Sequence, residues 1–244
     1  MLTAFGNFFF HYRGALVMLV LVATVFFVEP LYPAGSRTFD IALDVAGFMI
    51  ALLGQALRIL TIGYDYIRRG GKNKTVYADR LVQGGVFSHS RNPLYVGNIL
   101  IMMGLTLILS VPVVYMVYIP FFLFMYAAII AAEENYLRGK FGAEYEDYCR
   151  RVNRLWPNWK GFRESVADMS FSWKRVVSKE HGTTFGWLMA AVGYRMYTVH
   201  RIEGPDAVTE VRFLAGVMAV LTLAYIIARV LKKTGRLEEA PTTA

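Results

Sequence analysis

The sequence predicts an all-α fold: a polytopic transmembrane bundle of about six spans, with polar loops and one interfacial amphipathic helix on its cytoplasmic side. Three observations lead there. Of the 244 residues 56% are hydrophobic and only 18% are charged, and the mean hydropathy of +0.40 lies outside the range of ordinary soluble domains. The apolar residues gather in runs close to the ~20 residues that a helix needs to cross a bilayer. The Lys and Arg residues fall between those runs, concentrated in alternate gaps.

A net charge of +8 would suit a nucleic-acid binder only if the basic residues shared one soluble face. Dispersed between apolar runs they read as cytoplasmic loops, and no nucleic-acid partner is expected. Cys149 stands alone, so no internal disulfide can form, and His11, His89, His181 and His200 include no pair at metal-ligand spacing. No metal site is expected.

In chain order, the first apolar run covers residues 12–32. Glu29-Pro30-Leu31-Tyr32-Pro33 closes it without a small-residue cleavage site, so it reads as a retained span rather than a signal peptide, although His11 and Arg13 precede it. The second run, 39–62, contains Asp44 and Arg58, both near enough to its ends for their side chains to snorkel to the interface. Gly47, Ala51 and Gly54 give this run a small-residue stripe suited to close packing on the first span.

Residues 94–132 carry no charge at all. As one helix at ~1.5 Å per residue they would be about twice the hydrocarbon thickness, so the chain must cross twice. Ser110-Val111-Pro112 is the natural turn of that hairpin, and Pro120 predicts a kink in its second arm. Farther on, residues 183–198 are short for a span and contain Arg195, which leaves a re-entrant or tilted helix as the alternative. Residues 211–231 are long enough to cross and are followed by Lys232, Lys233 and Arg236.

Arg68, Arg69, Lys72, Lys74 and Arg80, with a dense basic set from Arg138 to Lys179, occupy one side, against only Arg37 and Arg201 on the other. Both termini are therefore expected in the cytoplasm, which requires an even number of spans. The organisation reads as residues 1–77, an N-terminal hairpin with its loop; 78–160, a central core; and 161–244, a C-terminal membrane region.

Chemistry gathers at the two ends of the charge-free hairpin. Asn92 and Pro93 suit the N-cap and first position of a helix, so the backbone N–H groups of that helix, flanked by Arg91, offer an anion site. Glu133 and Glu134, where the hairpin ends, offer carboxylates to a cation, and Phe87 and Tyr95 offer aromatic faces to one. S-adenosylmethionine matches the pattern, because its amino-acid end carries a carboxylate and an ammonium and its sulfonium a further positive charge. The bland reading is that such residues are interfacial anchors. Beyond the hairpin, Tyr145, Tyr148, Val152 and Leu155 share one helical face, and Glu146–Arg150 and Asp147–Arg151 are spaced for ion pairs. That helix is expected to lie on the membrane surface as a lid.

The order Gly85-Val86-Phe87, Arg91-Asn92-Pro93-Leu94-Tyr95-Val96-Gly97, a charge-free hairpin, then Glu133-Glu134, Leu137, Phe141-Gly142, Tyr145, Tyr148, Val152 and Pro157 resembles the isoprenylcysteine carboxyl methyltransferases and phospholipid methyltransferases, integral-membrane enzymes that use S-adenosylmethionine. The likeness covers about residues 78–160. It implies a methyltransferase whose cofactor is held by Phe87, Arg91, Asn92, Pro93, Tyr95, Glu133 and Glu134, with Arg91 and Glu134 nearest the chemistry. It also implies an acceptor that is a lipid or a lipid-modified molecule arriving between spans. Many members have histidine where this chain has Asn92, and Ser88-His89-Ser90 replaces an aromatic or aliphatic run. Asn keeps the cap but cannot titrate. A membrane reductase using NADPH is the nearest rival reading; a transporter or scaffold is more distant, since no internal repeat and no mid-membrane charge is evident.

Overall fold

The computed structural model describes residues 2–64 and 76–237. It contains the helices α1 (Leu2–Phe27), α2 (Arg37–Tyr64), α3 (Pro93–Ile108), α4 (Pro112–Phe141), α5 (Ala143–Arg151), the single turn α6 (Phe162–Ser165), α7 (Trp173–Glu203) and α8 (Val208–Lys233). No strand occurs among the described residues. α1, α2, α4 and the near-continuous helical stretch Trp173–Lys233 are long and apolar enough to cross a bilayer, while the 16-residue α3 is shorter. The protein is a helical membrane bundle. The loop basics Arg68, Arg69, Lys72 and Lys74 lie outside the described residues.

The charge-free stretch turns where its sequence demands. α3 ends at Ile108, Pro112 opens α4, and Ser110 adopts φ +55°, its hydroxyl bonded back to the Leu107 carbonyl at 3.3 Å. α4 runs on through Pro120 and continues past Glu133 to Phe141. Neither arm of the hairpin has the other as its main neighbour: α3 lies along α2, and α4 lies along α1.

Glycine makes both pairings close. A Cβ added to Gly104 would stand 2.3 Å from the Gly47 carbonyl oxygen, and one on Gly54 would stand 2.5 Å from the Gly97 carbonyl oxygen. The small-residue stripe of α2 thus packs on α3, not on the first span, because α3 presents complementary glycines at the same spacing. On the other side of the bundle, a Cβ on Gly6 would meet the Ala128 carbonyl oxygen at 2.1 Å, which seats α1 against α4. Thr24 and Tyr118 share a hydroxyl hydrogen bond of 2.8 Å farther along that seam.

α7 resolves the short fifth run. It is one continuous helix of 31 residues, not a re-entrant loop, and it is capped by the Ser172 hydroxyl, which accepts from the Arg175 amide at 3.2 Å. The Ser172 amide donates to the Gly63 carbonyl at 2.9 Å, so α7 starts beside the end of α2 and runs antiparallel to it. Arg195 is satisfied inside the bundle by Asp40, by Asp44 at 3.0 Å and by Glu210 at 3.1 Å. Arg37 adds a 3.2 Å ion pair to Glu203, and the Tyr32 hydroxyl donates to the same carboxylate. This cluster ties α2, α7 and α8 at the end opposite Glu133. Asp44 therefore does not snorkel; the half-buried Arg195 recruits it. Burial, with Glu203 second, raises the Tyr32 pKa to about 12.

Arg58 corrects the snorkelling expectation more sharply. It is 1% exposed, and its Nε and Nη2 each meet a Glu180 carboxylate oxygen at 2.9 Å. Its Nη1 donates to Asn98 and, at 3.3 Å, to the Leu94 carbonyl. Gln55 joins by donating to Glu180 at 3.3 Å and accepting from Trp187 Nε1 at 3.0 Å. The stem passes through the slot left by Gly97, where an added Cβ would lie 2.5 Å from Arg58 Cγ.

The glycine crossings set a direct test. Gly104→Ala should lower the thermal unfolding midpoint in detergent, at a cost of about 1–3 kcal/mol for forcing the two backbones apart. Gly14→Ala, with open space around the added methyl, is the matched control and should not destabilise. Equal midpoints for the two variants would refute a close α2–α3 crossing.

Candidate active site

The site grows from two chain segments that dock on each other. Gly85–Ser88 forms a 3-10 turn, and after it the chain runs against residues 152–158. The Arg91 amide donates to the Asn153 carbonyl at 2.9 Å, the Asn158 amide to the His89 carbonyl at 3.0 Å, and the Ser90 hydroxyl to the Leu155 carbonyl at 2.8 Å. His89 Nε2 pairs with the Ser165 hydroxyl at 2.9 Å, and its ring stacks on Trp159. His89 and Ser90 are buried. The departure from the family pattern at Ser88-His89-Ser90 is thereby accounted for: polar side chains there latch the later segment.

α5 packs over this loop. Tyr145, Tyr148 and Val152 are buried together, and the Tyr148 hydroxyl donates to the Phe87 carbonyl at 2.7 Å. One predicted ion pair forms, Arg151 to Asp147 at 3.1 Å, whereas Arg150 also turns to Asp147 and Glu146 pairs with Arg138 instead. The reason is the length of α4, whose extension to Phe141 brings Arg138 within reach. Burial, followed by the nearby Glu134 carboxylate, pushes the Tyr145 hydroxyl pKa up, so it stays protonated well into alkaline solution.

Beneath α5 is a cavity of about 340 Å³, bounded by α1, α2, the stretch from Val76 to Val82, the loop that enters α3, α4 and α5. Six of the seven residues singled out from sequence line it: Phe87, Arg91, Asn92, Pro93, Tyr95 and Glu133. The Tyr95 hydroxyl donates to Glu133 at 2.6 Å. Glu134 does not line the cavity. One turn position away, it is held by Arg154 at 2.9 Å, Arg91 at 3.5 Å and the Asn92 amide nitrogen at 3.4 Å.

Asn92 does occupy the N-cap position, with Pro93 first in the helix, but its side chain does not cap α3. The amide nitrogen donates instead to Glu134 and, at 3.0 Å, to the Arg154 carbonyl, because the docked segment offers those acceptors on the opposite side. Arg91 is left with its Nε buried and without a hydrogen-bond partner among the described residues. Arg13, Arg58 and Asn98, which also line the cavity, were not singled out from sequence. The available signal was an arginine inside an apolar helix.

These features define a membrane protein with a ligand cavity at one end of its helices, walled by aromatic rings and carrying charges of both signs. Residues 44–144 match the model of the family described as Phospholipid methyltransferase, in agreement with the resemblance carried by the motifs, and the match supports a membrane methyltransferase. The chain is also similar to the cobalt-zinc-cadmium resistance protein CzcN of Cupriavidus metallidurans, 32% identical over 123 residues, or 50% of this chain and 51% of that protein. The chain thus spans about half the length of the curated relative it matches. No solved structure gives a significant match.

Glu134→Gln tests the docking of the two segments. Weakening the carboxylate shared by Arg91 and Arg154 should cost about 1–3 kcal/mol. It should also raise hydrogen–deuterium exchange across residues 85–92 and 152–158. Unchanged exchange there would mean that Glu134 does not hold the segments together.

Proposed function

We propose that the cavity binds S-adenosylmethionine and that the protein transfers its methyl group to a lipid or lipid-modified acceptor. The observation that carries the reading is the buried, unpartnered Nε of Arg91 in a cavity that also holds Glu133. A buried guanidinium N–H without an acceptor is costly, and a ligand carboxylate would supply one. Glu133 stands ready for an ammonium, and Phe87, Tyr145 and Tyr148 offer faces to a cation or a flat ring. A volume of about 340 Å³ is ample for a cofactor of this size.

When bound, the cofactor supplies an electrophilic methyl group on a sulfonium. The residues of this chain bind, orient and exclude water. Arg91 takes the carboxylate end and is itself positioned by Glu134, whose second oxygen is anchored by Arg154. α5 covers the cavity through Tyr145 and Tyr148. A carboxylate acceptor is already anionic and needs no base. An amine acceptor must lose a proton, and Glu133, hydrogen-bonded by Tyr95, is a carboxylate lining the cavity that is able to take it. Asn92 cannot.

The positive residues of the loops support a cytoplasmic placement of the site end. Leu2, at the start of α1, and Lys233, at the end of α8, would then share that side, since Gly6 packs on Ala128 and α8 runs back from the Arg37–Glu210 contact.

Arg91→Ala should weaken S-adenosylmethionine binding about tenfold or more, the value of one or two charge-assisted hydrogen bonds. Calorimetry on the purified protein measures this, and unchanged affinity would remove Arg91 from the site. Methyl-labelled S-adenosylmethionine incubated separately with membrane lipids, a prenylcysteine analogue and soluble metabolites should label a lipidic acceptor. Base-labile label would indicate a carboxyl ester and base-stable label an amine. Label on soluble metabolites alone would overturn the lipid assignment, and no cofactor binding by the wild type would overturn the methyltransferase reading.

A further inference from the structure

α1 lies outside the segment that matches the methyltransferase family, yet it sends one charged side chain into the cavity. Arg13 lines the cavity, is half-buried, and has its Nη1 buried without a hydrogen-bond partner among the described residues. It also has no ion-pair partner among them. Its guanidinium carbon sits over the Phe10 ring, 4.3 Å from the ring centre. That contact fits the lean of helical side chains toward the N-terminus, which carries the guanidinium back toward the site end. An arginine in a spanning helix without an ion pair among the described residues is costly to keep and marks a functional position.

Its place in the bundle distinguishes it from Arg91. Gly6 seats α1 on Ala128 and Ala132, and Arg13 lies two turns beyond Gly6, farther from the site end. Arg13 therefore enters the cavity from the membrane side, whereas Arg91 descends from the docked loop. Each acts on different neighbours: Arg13 on Glu133 and Tyr95, Arg91 on Glu134 and Tyr145. Of the four arginines that line the cavity, Arg13 and Arg91 keep a buried donor without a partner among the described residues, and a cofactor with a single carboxylate satisfies one of these two poles.

We propose that Arg13 binds an anionic group of the acceptor, a carboxylate or a phosphate oxygen on a molecule resident in the membrane. This rests on the methyltransferase reading and deepens it by naming the charge that the acceptor must carry. An acceptor rising from the bilayer meets the Arg13 pole first, beside Glu133, while the cofactor occupies the Arg91 pole under the α5 lid.

Binding of amphiphilic probes to detergent-purified protein tests the assignment. The probes are N-acetyl-S-farnesylcysteine, which carries a carboxylate; lysophosphatidylethanolamine, which carries a phosphate; and the methyl ester of the first, which is neutral. The wild type should bind one or both anionic probes and discriminate against the ester. Arg13→Ala should weaken the anionic probe about tenfold or more, as expected for a lost charge-assisted contact. Arg13→Lys should retain most of the affinity, and S-adenosylmethionine affinity should stay within about twofold of wild type in both variants. Whichever anionic probe loses affinity identifies the group. Wild-type affinity of Arg13→Ala for both anionic probes, no anionic binding by the wild type, or loss of cofactor binding in place of probe binding would each overturn the proposal. Intact cofactor binding in the wild type keeps the methyltransferase reading standing through any of those results.

Discussion

The buried guanidinium of Arg58 is the constraint around which the bundle is arranged. An arginine stripped of water inside a helix bundle demands an acceptor for each of its donor directions. Two helices supply them: α7 gives the Glu180 carboxylate, and α3 gives the Asn98 side chain and the Leu94 carbonyl. Removing one partner of such a pair costs about 3–5 kcal/mol, so the relative heights of α2, α3 and α7 are tightly set. The glycine crossings follow from the same need, because only with α2 and α3 in backbone contact can the Arg58 stem pass over Gly97. Leu94 and Asn98 flank Tyr95, and so the first turn of α3 is held at the floor of the cavity.

The C-terminal helices, which the family match does not cover, are thus drawn into the support of the site. Glu180 and Trp187 belong to α7, beyond residues 44–144, yet through Gln55 and Arg58 they fix the cavity floor. At the far end of the same helix Arg195 gathers Asp40, Asp44 and Glu210. A helix of 31 residues carrying an ion-pair cluster near each end is pinned along its length. Its low apolarity, which makes it look like an incomplete span, is the consequence of carrying both clusters.

Much of this was legible in the sequence where a local rule had one outcome. Thirty-nine uncharged residues cannot form one spanning helix, and Pro112 leaves few places for the turn. The motif residues at the two ends of the hairpin had to converge once it closed. Illegible features were those with two physically sound outcomes. Arg58 near the end of an apolar run is equally consistent with snorkelling and with burial against a distant acid, and Glu180 lies 122 residues away. Gly47, Ala51 and Gly54 announce a close contact without naming the partner. Asn92 has a cap's sequence context, but the acceptors that redirect its side chain come from residues 134 and 154. Two adjacent glutamates differ by 100° around the helix. That rotation alone sends Glu133 into the cavity and Glu134 to the docked loop.

Of the four arginines that line the cavity, Arg13, Arg58 and Arg91 differ in how far the protein itself satisfies them. Arg58 is bonded to side chains and backbone on two helices, and its environment is complete without a ligand. Arg91 has Glu134 on one side and an unpartnered Nε on the other. Arg13 has the Phe10 ring beside it and a buried Nη1 without a hydrogen-bond partner among the described residues. Since unmet buried donors are expensive, a folded chain retains them where something else completes the set. The gradient from Arg58 to Arg13 therefore runs from scaffold to ligand. Arg58 of α2 is thus complete within the chain, whereas Arg91 of the motif and Arg13 of α1 each keep a buried donor without a partner among the described residues.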